Sequence, residues 1–148
     1  MNLTAETLQT NCLAWLDKHA QFVQAGDTHG QELALCQLAV NHNHLQKYDD
    51  AIDYFAQALT LNLLSRNSIR RFWALMGIGV AYISKLRASL GIQYFQQALD
   101  LAIEMDDPHL IHVSRANLSQ ARCDVGVEEW HGSRLASRST NSAMALAI

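Results

Sequence analysis

Two near-copies of one phrase stand forty positions apart: YDDAIDYFAQAL (Tyr48 to Leu59) and RASLGIQYFQQAL (Arg87 to Leu99). Tyr54 and Phe55 recur as Tyr94 and Phe95, Ala58 and Leu59 as Ala98 and Leu99, and Ala51 as Gly91. Each copy sets small, large and small residues at i, i+4 and i+7, one stripe of a helix. A repeated unit of this size cannot bury its apolar face alone, so it must stack on copies of itself. The small residues let a neighbouring helix come close, and the phenylalanine fills the space between helices.

The repeated unit extends upstream. Leu75, Ile78, Gly79 and Tyr82 form a second stripe at i, i+3, i+4 and i+7, and Leu35, Leu38, Ala39 and His42 hold the same offsets forty positions earlier. Gly79 inside so strong a helical pattern costs about 1 kcal/mol relative to alanine; close helix packing supplies a reason for it. The unit is therefore a pair of helices. A third first helix follows at Arg115, Leu118, Ser119 and Arg122, after which His131, Leu135 and Arg138 leave the pattern. Helices are expected near 4–25, 29–45, 48–64, 68–84, 87–105, 108–124 and 127–137. Thr28 and Gln31 fit a capping box. Asp107 followed by Pro108 reads as an N-cap and a first helical residue.

Leu75-x2-Ile78-Gly79-x2-Tyr82 followed by Gly91-x3-Phe95-x2-Ala98 resembles a tetratricopeptide repeat, and Ala51, Phe55 and Ala58 occupy the second-helix slots of the preceding copy. Leucine stands where that family's leading tryptophan would be, His42 replaces the first tyrosine, the closing proline is missing, and the period is longer than the usual 34. The resemblance covers about residues 32–104. It implies an all-α, right-handed α-α superhelix of about three helix pairs with an N-terminal capping helix. One domain spans 1–126: capping helix 4–25, repeat 1 at 29–64, repeat 2 at 68–105, and the first helix of repeat 3 at 108–126. Residues 127–148 are expected as a degenerate or frayed C-terminal helix or tail, ending in the apolar AMALAI.

Chemistry-bearing patterns are sparse. The seven histidines include His42 with His44, which point to different faces of a helix, and His109 with His112, which share one without a third ligand. The acidic pairs Asp49–Asp50, Asp106–Asp107 and Glu128–Glu129 fall at expected helix starts, where acids favour the dipole. No phosphate loop, GxSxG or HExxH occurs. No enzyme activity, metal or cofactor is expected. Cys12, Cys36 and Cys123 are odd in number, lack a CxxC spacing and sit in apolar helical patterns, so buried free thiols are expected. A net charge of −3 and the short basic cluster Arg66, Arg70 and Arg71, read as a solvated helix end, argue against nucleic acid. The chain shows neither a basic start before an apolar block nor a run of about 18 apolar residues. No membrane contact and a cytoplasmic setting are the expectation.

In repeats of this kind the first helix of each pair lines the concave face. The resemblance places Cys36, Val40 and Asn43 there from the first repeat, Met76, Val80 and Ile83 from the second, and Asn117 and Gln120 from the third. This apolar lining implies a non-enzymatic protein–protein interaction module, scaffolding or sensory and regulatory, that takes a helical or extended peptide of a partner. The slots lack the lysine and arginine with which some members hold a C-terminal carboxylate. The alternative is a self-associating structural protein, possible as a homodimer, whose groove is filled by a second copy or by its own C-terminal helix.

Overall fold

The computed structural model describes residues 3–126. Among them lie six helices and no strand: α1 (Ala5–Ala25), α2 (Thr28–His44), α3 (Tyr48–Ser65), α4 (Ser68–Ser84), α5 (Ala88–Glu104) and α6 (108–126). The expected boundaries match these within two residues. The expected helix at 127–137, the tail 127–148 and the acidic pair Glu128–Glu129 lie outside the described residues. No helix among the described residues is long and apolar enough to cross a membrane.

The forty-residue period is written into the caps and turns. Asp27, Asn67 and Asp107 each accept, through the side chain, a hydrogen bond from the backbone N–H three residues on. Each satisfies one of the free donors of a helix start. Thr28 is therefore not the cap that the capping-box pattern suggested. It is the first helical residue of α2, and the Gln31 amide reaches the Phe22 carbonyl of α1 instead. Asp27, one position earlier, takes the extended cap conformation and adds a negative charge at the positive helix end.

Left-handed residues recur on the same period. Gly26, Arg66 and Asp106 have φ of 66°, 52° and 51°, and Gln46 and Leu86 have 59° and 58°. After four of these five residues the next N–H bonds back to the helix: Asp27 to Phe22, Lys47 to His42, Arg87 to Tyr82, and Asp107 to Ala102. That closing bond satisfies a carbonyl at the helix end and holds the tight reversal in place.

Consecutive helices pack on one another, α1 on α2, α2 on α3, α3 on α4 and α4 on α5, and α2 also touches α4. Phe55 and Phe95, forty residues apart, are each at the centre of a buried cluster. Phe55 meets Ala39, Ala74 and Ile78. Phe95 lies with Phe72, Leu75, Met76, Ala98 and Ala102, and with Leu110, Leu118 and Ala121 from α6. Ala58 and Ala98 are fully buried, as their slots require. The tyrosine slot works in both units: His42 packs on Tyr54 with ring centroids 5.0 Å apart, and Tyr82 stacks on Tyr94 at 5.6 Å.

The α4–α5 crossing is close enough to need glycine on both helices. A methyl group added at Gly91 would lie 2.8 Å from the Gly79 carbonyl, and one at Gly79 would lie 3.2 Å from the Gly91 carbonyl and run into the Phe95 ring. The α2–α3 crossing carries Ala39 and Ala51 at these positions, both fully buried.

Two expectations follow. Helix propensity alone makes Gly79→Ala stabilising by about 1 kcal/mol; the crossing geometry makes it destabilising by about 1–3 kcal/mol through overpacking. The sign of the shift in urea midpoint decides between them. Leu86 is 82 % exposed at positive φ. Relief of about 1–2 kcal/mol of left-handed strain, less about 0.5–1 kcal/mol for glycine's chain entropy, makes Leu86→Gly stabilising by about 0.5 kcal/mol, read as a small rise in melting temperature.

Candidate functional site

Every second helix, α2, α4 and α6, sends side chains into one open cavity of about 670 Å³. Its lining is generated by the repeat period. Leu33, Trp73 and Val113 form one row, Gln37, Gly77 and Asn117 another, and Cys36 with Met76 and Val40 with Val80 two more. Val40 is 41 % exposed and Val80 42 %, while Trp73 and Ile69 stand more open at the rim.

Of the residues expected on this face, Cys36, Val40, Asn43, Met76, Val80 and Asn117 all line the cavity. Ile83 and Gln120 do not. They line a smaller space of about 110 Å³ beside it, which shares Val80 and Asn117. The sequence reading missed the row Leu33, Trp73 and Val113, although it lies one turn before Cys36 and Met76 on the same face. It also missed Phe55. Gly77 has no side chain, and a Cβ there would run into the Phe55 ring, so this residue of α3 reaches the cavity floor.

The polar groups of the lining are mostly tied down. The Asn43 amide donates to the Gly77 carbonyl at 3.1 Å, bridging α2 and α4, and its Oδ1 is buried without a partner. The Asn117 amide donates to the Val113 carbonyl of its own helix. Water or an occupant would have to satisfy the Asn43 oxygen, since an unpaired buried acceptor costs about 1–3 kcal/mol.

At the end where α2 and α4 begin, a buried carboxylate anchors the wall. Glu32 is 1 % exposed. Its Oε1 accepts from Asn62 at 2.6 Å, and its Oε2 accepts from the Ser65 hydroxyl and from Arg70 Nη1 at 3.2 Å. Asn62 also donates to the Asn67 carbonyl, and Arg70 to the His29 carbonyl. The network joins α2, the end of α3 and the start of α4. Arg70 is thus held by this carboxylate and is not simply part of a solvated helix end. Taking its charge away would strand Glu32 in the interior, at a cost on the order of 3 kcal/mol. The period held a signal for it: position 32 corresponds to Phe72, which is fully buried.

The cysteines separate. Cys12 is buried, Cys36 partly buried and Cys123 exposed. The expectation of a buried thiol fails at Cys123 because α6 buries Leu110, Ser114, Leu118 and Ala121, and residue 123 lies off that stripe. Cys12 lies 3.8 Å from His42 Nδ1, which itself donates to the Leu38 carbonyl at 2.8 Å. Burial raises the Cys12 thiol pKa, so the pair is a packed contact rather than an activated nucleophile. Burial first, and the Glu32 charge second, push the Cys36 thiol from its ordinary 9.0 up to about 12, against a smaller opposite effect of Arg70. Its neutral form favours the fold below pH 9, and that contribution is lost as pH rises toward 12.

Among the described residues no three His, Cys, Asp or Glu side chains converge. Asp49 and Asp50 stand in the first turn of α3, and Lys85, the residue that caps the end of α4, pairs with Asp49. Among the described residues the cavity lining offers mainly apolar contact area, with the Asn43 Oδ1 left unpaired. The chain matches no protein-family model and no curated protein.

Thiol labelling checks the electrostatics of the wall. With its thiol pushed up to about 12, Cys36 is expected to resist iodoacetamide at pH 8 while exposed Cys123 reacts readily, as peptide mass mapping reads. Equal rates would remove the burial and the Glu32 charge as controls on this thiol.

Proposed function

We propose that this chain is a tetratricopeptide-like helical-repeat module, a superhelical stack whose first helices present an apolar groove to a helical or extended peptide of another protein. It works without chemistry of its own, as a scaffold or as the sensing part of a regulatory assembly. The observation that carries the reading is the period of the cavity lining. Residues forty apart on α2, α4 and α6 face one space, and Val40, Val80 and Met76 within it and Trp73 at its rim are apolar.

An apolar cavity of this size suits side chains that anchor a partner. Burying one valine or leucine contributes about 1.5–3 kcal/mol, so two or three anchors supply about 3–9 kcal/mol before the costs of association are subtracted, and binding through them alone is weak. The methionine in the lining lets the wall adjust to more than one sequence.

The test uses a random-peptide display library selected on the full chain. Apolar peptides are expected, and Val80→Glu should weaken a selected peptide at least tenfold by titration, with far-UV circular dichroism unchanged. Peptides that bind Val80→Glu and Val40→Glu as tightly as the parent would exclude this cavity as the binding surface.

A further inference from the structure

Helix α1 carries an apolar stripe that its counterparts lack. Leu13 is 69 % exposed, Leu16 43 % and Val23 51 %. With exposed Ala20 they fall at i, i+3, i+7 and i+10, along one side of the helix. Forty positions on, α3 places Asp53, Ala56, Thr60 and Leu63 on that side, and α5 places Gln93, Gln96, Asp100 and Ile103. The register therefore turns this side outward. α3 and α5 furnish it mainly with polar or small groups and end it on one apolar residue; α1 makes it apolar throughout.

A further helix pair ahead of α1 in the same register would not cover the stripe. α3 meets its own first helix through Tyr54 against His42, with Ala51 and Ala58 on the same side. The corresponding residues of α1 are Asn11, Ala14 and Lys18, on the opposite side of the helix from the stripe. On that side the Lys18 ammonium lies 4.3 Å from the centre of the Trp15 ring.

We propose that the stripe is the contact through which two copies of this chain pair, their α1 helices antiparallel about a two-fold axis level with residue 18. The stripe is self-complementary in that arrangement. Leu16 lies opposite Ala20 of the second copy, and Leu13 opposite Val23, so large side chains meet smaller ones on both sides of the axis. No charged residue falls within the stripe; Asp17 stands at its edge and accepts from the Gln21 amide of the same helix. With the axis level with residue 18, residues 11–25 of the two helices overlap, a length of about 22 Å. Laid together over that length they hide on the order of 700 Å², in the range of weak, transient contacts. The dimer is therefore weak and concentration-dependent, and it leaves the cavity between α2 and α4 free.

Sedimentation velocity on the full 148-residue chain, between about 1 and 300 µM, tests the pairing. The parent is expected to pass from the mass of one chain to that of two. Leu16→Glu and, separately, Leu13→Glu should remain single chains throughout with unchanged helicity, and Val80→Glu should pair as the parent does. A parent that stays monomeric across the range overturns the proposal, as does a Leu16→Glu or Leu13→Glu variant that pairs like the parent. Loss of pairing in Val80→Glu also overturns it, by assigning association to the cavity.

Discussion

The whole arrangement hangs on one contact, an aromatic ring of a second helix set against small residues of the helices beside it. Phe95 lies on Gly79 and among Ala98, Ala102 and the leucines of α6; Phe55 lies on Ala39, Ala74 and Gly77. Each phenylalanine joins its own pair to the next. Because the ring needs a flat, small surface to meet, the residues around it cannot grow, and the spacing of the helices follows from their size. This is why the ring and the small residue three positions after it recur after forty positions, although only ten of the forty residues in 28–67 are identical in 68–107.

That contact also builds the cavity. Helices held at the distance the rings impose leave α2, α4 and α6 with corresponding faces turned to the same space. The side chains there need not fill a core, so they vary: leucine, tryptophan and valine in one row, glutamine, glycine and asparagine in another. Gly77 shows how the two requirements meet. Its missing side chain makes room for the Phe55 ring on one side and opens the cavity floor on the other, and its carbonyl takes the Asn43 amide. The wall is stiffened at one end by Glu32 of α2, whose buried charge is answered by Asn62 and Ser65 at the end of α3 and by Arg70 at the start of α4.

Most of the helical content was legible because it depends on local pattern. The stripes at Leu35 to His42 and Leu75 to Tyr82, the Asp107–Pro108 start and the recurring phenylalanines all act within a few turns of one helix. The cap at Asp27 was misread by one residue, since aspartate and threonine both cap well and only the backbone angle distinguishes them. Much of the cavity lining was legible too, as the period carries a face from one helix to the next. Phe55 and Gly77 were not, because a second-helix ring reaches the floor only where a first-helix side chain is absent. The burial of Glu32 was readable from the period, since position 32 corresponds to Phe72, but its partners were hidden: Asn62, Ser65 and Arg70 lie 30 to 38 positions away, and no spacing rule brings them together.

By itself, the sequence determined that this chain makes paired helices, where each begins and ends, and which residues repeat at the crossings. Those properties follow from hydrogen bonding and apolar spacing along a single helix, which neighbouring positions encode. Only the tertiary structure decided how close α4 comes to α5, that the carboxylate of Glu32 goes inside, that Cys123 stays out, and that the apolar side of α1 finds no cover within the described residues. These depend on the distances and angles between helices, which arise from the summed fit of side chains far apart in the chain.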